Sequence, residues 1–494
     1  MRDSIRIVRK GQIVEIDEVG PTETLLDYLR LREGAHGTKE GCNEGDCGAC
    51  TVVIGDLVDG RVRYRPVNSC IQLLGAMDGK EIVTVEDLAA PDGTLHPVQQ
   101  ALVEAHGSQC GFCTPGMVMS LFALYHREGR GTPPSRQEIN DALAGNLCRC
   151  TGYRPIIEAA EAAMEGPADD RFVASHDKIK ALLQFIDDDQ DVFIGNNQAF
   201  IAAPRSVTGL TQLLAKYPDA IILSGGTDIG LWITKQHRPL ARLIYIGRIG
   251  DLRHVEDLGD ALIIGAGVTF DEAAGHLAGI DADIGEVMRR IGSRQVRSAG
   301  TVGGNIANGS PIGDMAPMLI ALGATLELVK GDEGRALPIE DYFIAYGKQD
   351  RQPGEFIAGI LVPKLLPDQL FRAYKVTKRF DSDISAVMSA FRFTVVDGVI
   401  AEARIAFGGM AATPKRASAA EARLIGAVPA RAATWSAAIE ALSEDFTPIA
   451  DMRASAEYRM ETAKALLAKA LVETAGAPTT RTRVIGHREV EVSE

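Results

Sequence analysis

The chain opens on an alternation. In "SIRIVRKGQIVEI" apolar and polar positions take turns on either side of Lys10 and Gly11, which predicts two strands joined by a tight turn. "PTETLLDYLRLREG" changes to a helical period that Gly34 ends, and "TVVIGDLVDGRVRYRPVNSC" returns to alternation as a second strand pair. From about residue 86 the period is helical. "PGMVMSLFALYHREG" spaces its apolar residues for a helix, and "SRQEINDALAG" sets Ser135 three residues before Glu138, a capping box, and stops at Gly145. The stretch 166–190 is acidic and weakly patterned, which suits a linker. Beyond it, "DAIILSGGTDIG" and "ALIIGAGVTF" each lead an apolar strand into glycine, and "SAGTVGGNIANGSPIGDMAPMLIAL" packs small residues into a long loop before an apolar helix. A further α+β segment follows. The pattern predicts a multidomain α+β chain with limits at 1–85, 86–165, a linker at 166–190, 191–370, 371–480 and a tail at 481–494.

With 494 residues the chain has room for several cores, and no apolar run approaches the roughly 20 residues that span a bilayer. The N-terminal alternation lacks the apolar centre of a secretory signal, so the cytoplasm is the expected compartment. A net charge of −14 argues against nucleic acid, whose phosphates need a basic footprint.

Eight cysteines change the picture. A disulfide framework suits small secreted domains, which this chain is not. Cys42, Cys47 and Cys50 form C-x4-C-x2-C with a distant Cys70, the plant-type spacing for a [2Fe-2S] cluster held by four thiolates. Gly41, Gly45 and Gly48 let that loop wrap closely and aim N–H groups at anionic sulfur. Cys110 and Cys113 precede one helix, and Cys148 and Cys150 follow another. Residues two apart point to opposite sides of a strand, so Cys148 and Cys150 reach one metal only from a turn, which the stretch from Gly145 to Gly152 supplies. Zinc stays open as an alternative for this second set on ligand type alone.

Glycine turns free backbone N–H groups to hold anions, so residues 222–229 and 300–305 are candidates for cradling a pyrophosphate, although an isolated Gly-Gly is more often a plain turn. Neither a G-x-G-x-x-G after the first strand nor a P-loop is present. Asp381 and Asp383 read as a solvated loop, the nine histidines form no metal-ligand spacing, and no G-x-S-x-G marks a nucleophile. Nothing marks a place where a substrate bond is broken.

Two cysteine sets in this order, "GCNEGDCGAC" with "NSC" and "QCGFCTPG" with "LCRCTGYRPI", followed by glycine-rich segments, resemble the xanthine dehydrogenase family of molybdenum hydroxylases over nearly the whole length. The resemblance is strongest to members whose iron–sulfur and flavin parts share one small subunit while a large subunit binds molybdenum. It implies a β-grasp plant-type ferredoxin domain, a helical-bundle [2Fe-2S] domain, an α+β FAD-binding domain and an α+β C-terminal flavoprotein domain. "IILSGGTDI", Ile222, Leu223, Ser224, Gly225, Gly226, Thr227, Asp228 and Ile229 with Gly230, is similar to the FAD pyrophosphate loop. "GTVGGNIANGSPIGD" is similar to a second flavin segment, which by the same likeness places Thr301, Gly304, Asn305 and Asp314 at the flavin, with Ile357 and Lys375. Ile291 stands where many relatives have an aromatic near the isoalloxazine, Tyr346 where they have one at an NAD site, and Gln109 at a pterin contact.

The function implied is an electron relay. A molybdenum centre with its pterin cofactor, on the partner, hydroxylates hypoxanthine and xanthine to urate. Electrons pass through the helical-domain cluster, the ferredoxin-like cluster and FAD to NAD+, in a heterotetramer of two heterodimers. The alternatives are a relative acting on aldehydes or other N-heterocycles with oxygen or a quinone as acceptor, and a zinc-stabilised scaffold whose glycine loops are only turns.

Overall fold

The computed structural model describes residues 1–127, 132–166 and 168–483. They divide into two compact units, one within 1–250 with 292–300, the other within 251–291 with 301–483.

In the first unit, β1 (Ile5–Arg9) and β2 (Gln12–Ile16) pair antiparallel with Ile5 opposite Ile16. Lys10 and Gly11 turn the hairpin at φ 53° and 70°, the left-handed pair that matches strand twist. Asp59 and Gly60 repeat the device between β3 (Thr51–Val58) and β4 (Arg61–Asn68). With β5 (Glu81–Val83), parallel to β1, the sheet runs β2-β1-β5-β3-β4, a β-grasp order. It buries Ile5, Ile7, Val52, Ile54 and Leu74 in one core with Ile194, Ile201, Leu223 and Leu243 from a second sheet. That second sheet is β6 (Val192–Gly195), β7 (Phe200–Ala203), β8 (Ile221–Leu223) and β9 (Arg242–Tyr245), ordered β6-β7-β9-β8.

Four helices, α1 (Pro97–Glu104), α2 (Thr114–Tyr125), α3 (Arg136–Leu143) and α4 (Arg154–Ala163), enclose Val98, Leu102, Leu121, Phe122, Ile139 and Ile156. The capping box at α3 forms as its residues require: Glu138 N–H donates to Ser135 Oγ at 3.2 Å and Ser135 N–H to Glu138 Oε2 at 2.7 Å. Glu128 and Gly129, the end of "PGMVMSLFALYHREG", lie outside the described residues.

Two expectations need correction. The stretch 166–190, read as a linker, carries the helix α5 (His176–Ile186), whose Ile179, Leu183 and Ile186 bury against Val8 of β1. Acidic surface positions masked an apolar stripe at helical spacing. The small-residue loop before the apolar helix is itself helical from Val302 to Asn308. Its glycines serve packing, since a Cβ on Gly303 would come 2.5 Å from Ala266 Cα.

The second unit holds a five-stranded antiparallel sheet whose central strand is Phe356–Pro363, and a four-stranded sheet built on the hairpin Val387–Val396 and Val399–Gly408. The helix Met315–Leu322 is buried along its whole length. Of the expected tail 481–494, residues 484–494 lie outside the described residues, while Arg483 donates to Glu473 at 2.6 Å and Asp283 at 2.8 Å. Among the described residues no helix is long and apolar enough to cross a membrane.

Candidate functional site

All eight cysteines are free thiols. In the first loop, a Cβ on Gly48 would lie 2.2 Å from the backbone oxygen of Gly145, so glycine there lets the chain wrap this closely. Gly45 and Gly48 also take φ of 76° and 69°. Cys42 N–H donates to Cys47 Sγ and Cys47 N–H to Cys42 Sγ, each at 3.3 Å. Hydrogen bonds from the Cys47 thiol and from the N–H groups of Cys47, Glu44 and Asp46 bring the Cys42 thiol down to about 5, while the hydrogen bond to Cys42 and burial push the Cys47 thiol up. Cys50 and Cys70 are 1% exposed, with their sulfurs 3.3 Å apart.

The second set lies at the helix ends. Cys113 caps α2, and the turn between α3 and α4 carries Cys148 and Cys150, closed by Tyr153 at φ 69°. Tyr153 Oη accepts from Cys148 N–H at 2.8 Å, and Thr151 Oγ1 lies 3.2 Å from Cys148 Sγ. Each set offers the four thiols that a [2Fe-2S] cluster takes. Cys110 and Cys150 are exposed, as is the neighbouring Gln109.

The segments that carry the first cysteine set touch both the turn of the second set and the glycine loop. Leu147 N–H donates to Cys47 O at 3.0 Å, so one hydrogen bond separates the residue before Cys148 from a first-set cysteine. Two residues beyond Cys70, Gln72 Nε2 donates to Gly225 O of the glycine loop at 2.9 Å. A Cβ on Gly230 would fall 2.6 Å from Ile71 O. Lys235 Nζ donates to Cys42 O at 2.5 Å.

The glycine loop has the form of an anion cradle. Gly226 takes φ 73°, and a Cβ on Gly225 would be 2.0 Å from Ala299 O. Among the described residues the N–H groups of Ser224, Gly225, Gly226, Thr227 and Asp228 meet no backbone acceptor, which leaves them for a phosphate. Burial pushes the Asp228 carboxyl up. This donor-rich loop fits the pyrophosphate of FAD. Ile222, Leu223 and Ile229 flank it.

The other expected flavin residues belong to the second unit. Thr301 Oγ1 accepts from Gly304 N–H at 3.0 Å, capping the helix that carries Asn305. Asn305 Oδ1 is buried without a hydrogen-bond partner, an acceptor left for a ligand. Asp314 and Lys375 come together: Lys375 Nζ is 2.6 Å from Asp314 Oδ2 and 2.9 Å from Ser385 Oγ. Ile291 and Ile357, 8% and 5% exposed, join the hydrophobic core. Tyr346 is 76% exposed.

Sequence reasoning missed Gln72, Asn146, Gln295 and Ser385, since single polar residues carry no spacing signal. It also missed that His96 and His126 meet at Asp170, their Nε2 atoms 2.6 and 2.8 Å from Asp170 Oδ2. His96 Nδ1 accepts from Val98 N–H, so its proton sits on Nε2 and points at the carboxylate. The trio is a hydrogen-bonded clamp rather than a metal site, because a metal would need that nitrogen bare.

Family models match in the order 2Fe-2S iron-sulfur cluster binding domain (residues 7–72), [2Fe-2S] binding domain (84–161), FAD binding domain in molybdopterin dehydrogenase (196–365) and CO dehydrogenase flavoprotein C-terminal domain (372–474). The chain is 34% identical to xanthine dehydrogenase of Drosophila subobscura, over 82% of this chain and 34% of that protein. It is 32% identical to xanthine dehydrogenase of Emericella nidulans, over 90% and 36%, and 29% identical to aldehyde oxidase 2 of Rattus norvegicus, over 86% and 35%. It thus spans about a third of the length of these relatives. Among solved structures it is similar to a chain of Cu,Mo-CO dehydrogenase, 29% identical with TM-score 0.52, covering 56% of this chain and 96% of that one. A chain of quinoline 2-oxidoreductase from Pseudomonas putida 86 is 25% identical with TM-score 0.51, covering 56% and 95%.

Proposed function

The chain belongs to the molybdenum hydroxylase family, whose two [2Fe-2S] domains and FAD-binding domain it carries, and from that premise we propose that it is the electron-transfer subunit of a xanthine dehydrogenase. Electrons enter from a molybdenum-pterin centre on a partner chain, where hypoxanthine and xanthine become urate, and leave to NAD+. The observation that carries the reading is the double contact of the segments that carry the first cysteine set, through Cys47 O to Leu147 and through Gln72 to Gly225. It supports a path from the second set through the first set to the flavin loop. When bound, the clusters carry single electrons and the flavin gathers two for hydride delivery.

Exposure supports the roles of the chain's own residues in this reading. Cys110, Cys150 and Gln109 are exposed and meet the partner's pterin, while Cys50 and Cys70 are buried and Cys42 and Cys47 half-buried. Ser224 to Asp228 hold the pyrophosphate of FAD, and Thr301, Asn305, Asp314 and Lys375 serve its other contacts. The exposed Tyr346 receives NAD. Residues 1–85, 86–165, 191–370 and 371–480 form the four domains, and the assembly is a cytoplasmic pair of heterodimers.

A second reading is favoured by the aldehyde oxidase and quinoline oxidoreductase relatives: the same relay, serving aldehydes or N-heterocycles, with oxygen or a quinone as acceptor. Steady-state assay of the complete complex separates them. Xanthine-dependent NADH formation is the expected result. Turnover of an aldehyde or quinoline without any NADH from xanthine would replace the first reading by the second.

A further inference from the structure

Gln295 lies in the stretch matched to the flavin domain, yet its side chain stands among residues that back both thiol loops. It is 1% exposed. Its Nε2 is 3.1 Å from Thr51 Oγ1, 3.1 Å from Ser120 Oγ and 3.0 Å from Asn146 Oδ1. Thr51 follows Cys50, Asn146 stands two residues before Cys148, and Ser120 is on the helix that Cys113 caps.

The polarity of this network selects an amide donor. The Thr51 hydroxyl already donates to Gly48 O at 2.7 Å and the Ser120 hydroxyl to Asn146 Oδ1 at 2.6 Å. Asn146 Nδ2 donates to Gly48 O at 3.1 Å and to Thr51 Oγ1 at 3.3 Å. Every atom facing Gln295 Nε2 is therefore left as an acceptor, and no hydroxyl or carboxylate in its place supplies two protons. Three backbones meet at the same point. A Cβ on Gly48 would lie 2.2 Å from Gly145 O, one on Gly116 2.2 Å from Gly48 O, and one on Gly145 2.2 Å from Gln295 Oε1. Apposition this close brings Leu147 N–H onto Cys47 O at 3.0 Å, with the Gln295 network directly behind it.

We propose that Gln295 is a positioning residue for electron transfer between the two clusters, pinning the Cys50 and Cys148 loops in the register that the Cys47–Leu147 contact needs. This rests on the relay reading. Electron transfer falls steeply with separation, so a pin that holds two separately encoded loops acts on the relay without touching either metal. Because the pin comes from the flavin-domain stretch, the inter-cluster register is set only when that stretch has folded against both cluster domains.

The test is low-temperature EPR of the dithionite-reduced holoprotein, with redox titration, in wild type, Gln295→Met and Ser120→Ala. Gln295→Met keeps the length and lacks the donors. With iron and FAD retained, it is expected to shift the spin–spin splitting between the reduced clusters and at least one midpoint potential. Ser120→Ala, which removes one acceptor, gives a smaller shift in the same direction. Wild-type splitting and potentials in Gln295→Met, with or without a lower thermal midpoint, would reduce Gln295 to a packing residue and overturn the proposal. If Gln295→Met takes up no iron, Ser120→Ala decides, and an unchanged splitting there overturns it equally. Absence of two iron–sulfur signals from the wild type would instead overturn the relay reading itself.

Discussion

Cys70→Ser is expected to cut the iron content from about four to about two per chain while leaving the second set loaded. Cys70 is 1% exposed and lies in the turn that follows β4, with its sulfur 3.3 Å from Cys50 Sγ. Serine keeps the size but offers a hydroxyl of far higher pKa, a poor substitute for a thiolate at iron. The second set draws its ligands from other segments, so one of two EPR signals should vanish and the other persist. FAD should stay bound, because the Gly225 to Asp228 cradle is backbone and Gln72 remains to hold it. Loss of both signals together would show that the two sets do not load independently, and unchanged iron would remove Cys70 from the ligands.

Lys375→Met has the next largest expected effect, this time on stability. Lys375 and Asp314 are 6% and 9% exposed, and Ser385 Oγ donates to the second carboxylate oxygen at 2.5 Å. Asp314 also stands at the N-cap of the buried helix Met315–Leu322, where a negative charge is favoured. Removing the ammonium leaves that carboxylate buried and unpaired, which costs about 3–5 kcal/mol for such pairs. Replacing both, as Lys375→Met with Asp314→Asn, removes the stranded charge and should recover most of the loss, a coupling that a double-mutant cycle reads directly. A single-variant cost below about 1 kcal/mol, the range of exposed pairs, would mean that the pair is solvated.

The parts of this fold visible in sequence are those with local causes. The two left-handed turns at Lys10-Gly11 and Asp59-Gly60, the Ser135 box and the turn holding Cys148 and Cys150 each depend on residues within a few positions, and each appears where its chemistry requires. The helix α5 was hidden because an acidic surface outweighed the Ile179, Leu183 and Ile186 stripe, and Val302–Asn308 because glycine is a poor helix former that close packing nevertheless demands. What periodicity could not reveal is long-range pairing. Asn146 and Gln295 are 149 residues apart, Gln72 and Gly225 153, and His96 and Asp170 74. Cysteine spacing picked out the two candidate thiol sets, but the Leu147 to Cys47 contact that joins them comes from tertiary structure alone.

The most direct test of the relay is iron, sulfide and FAD content of the purified chain together with the EPR spectrum after dithionite reduction. The account predicts about four irons in two distinct [2Fe-2S] signals and about one FAD per chain. Zinc in the cysteine sites, a single iron–sulfur signal, or a chain without flavin would contradict it.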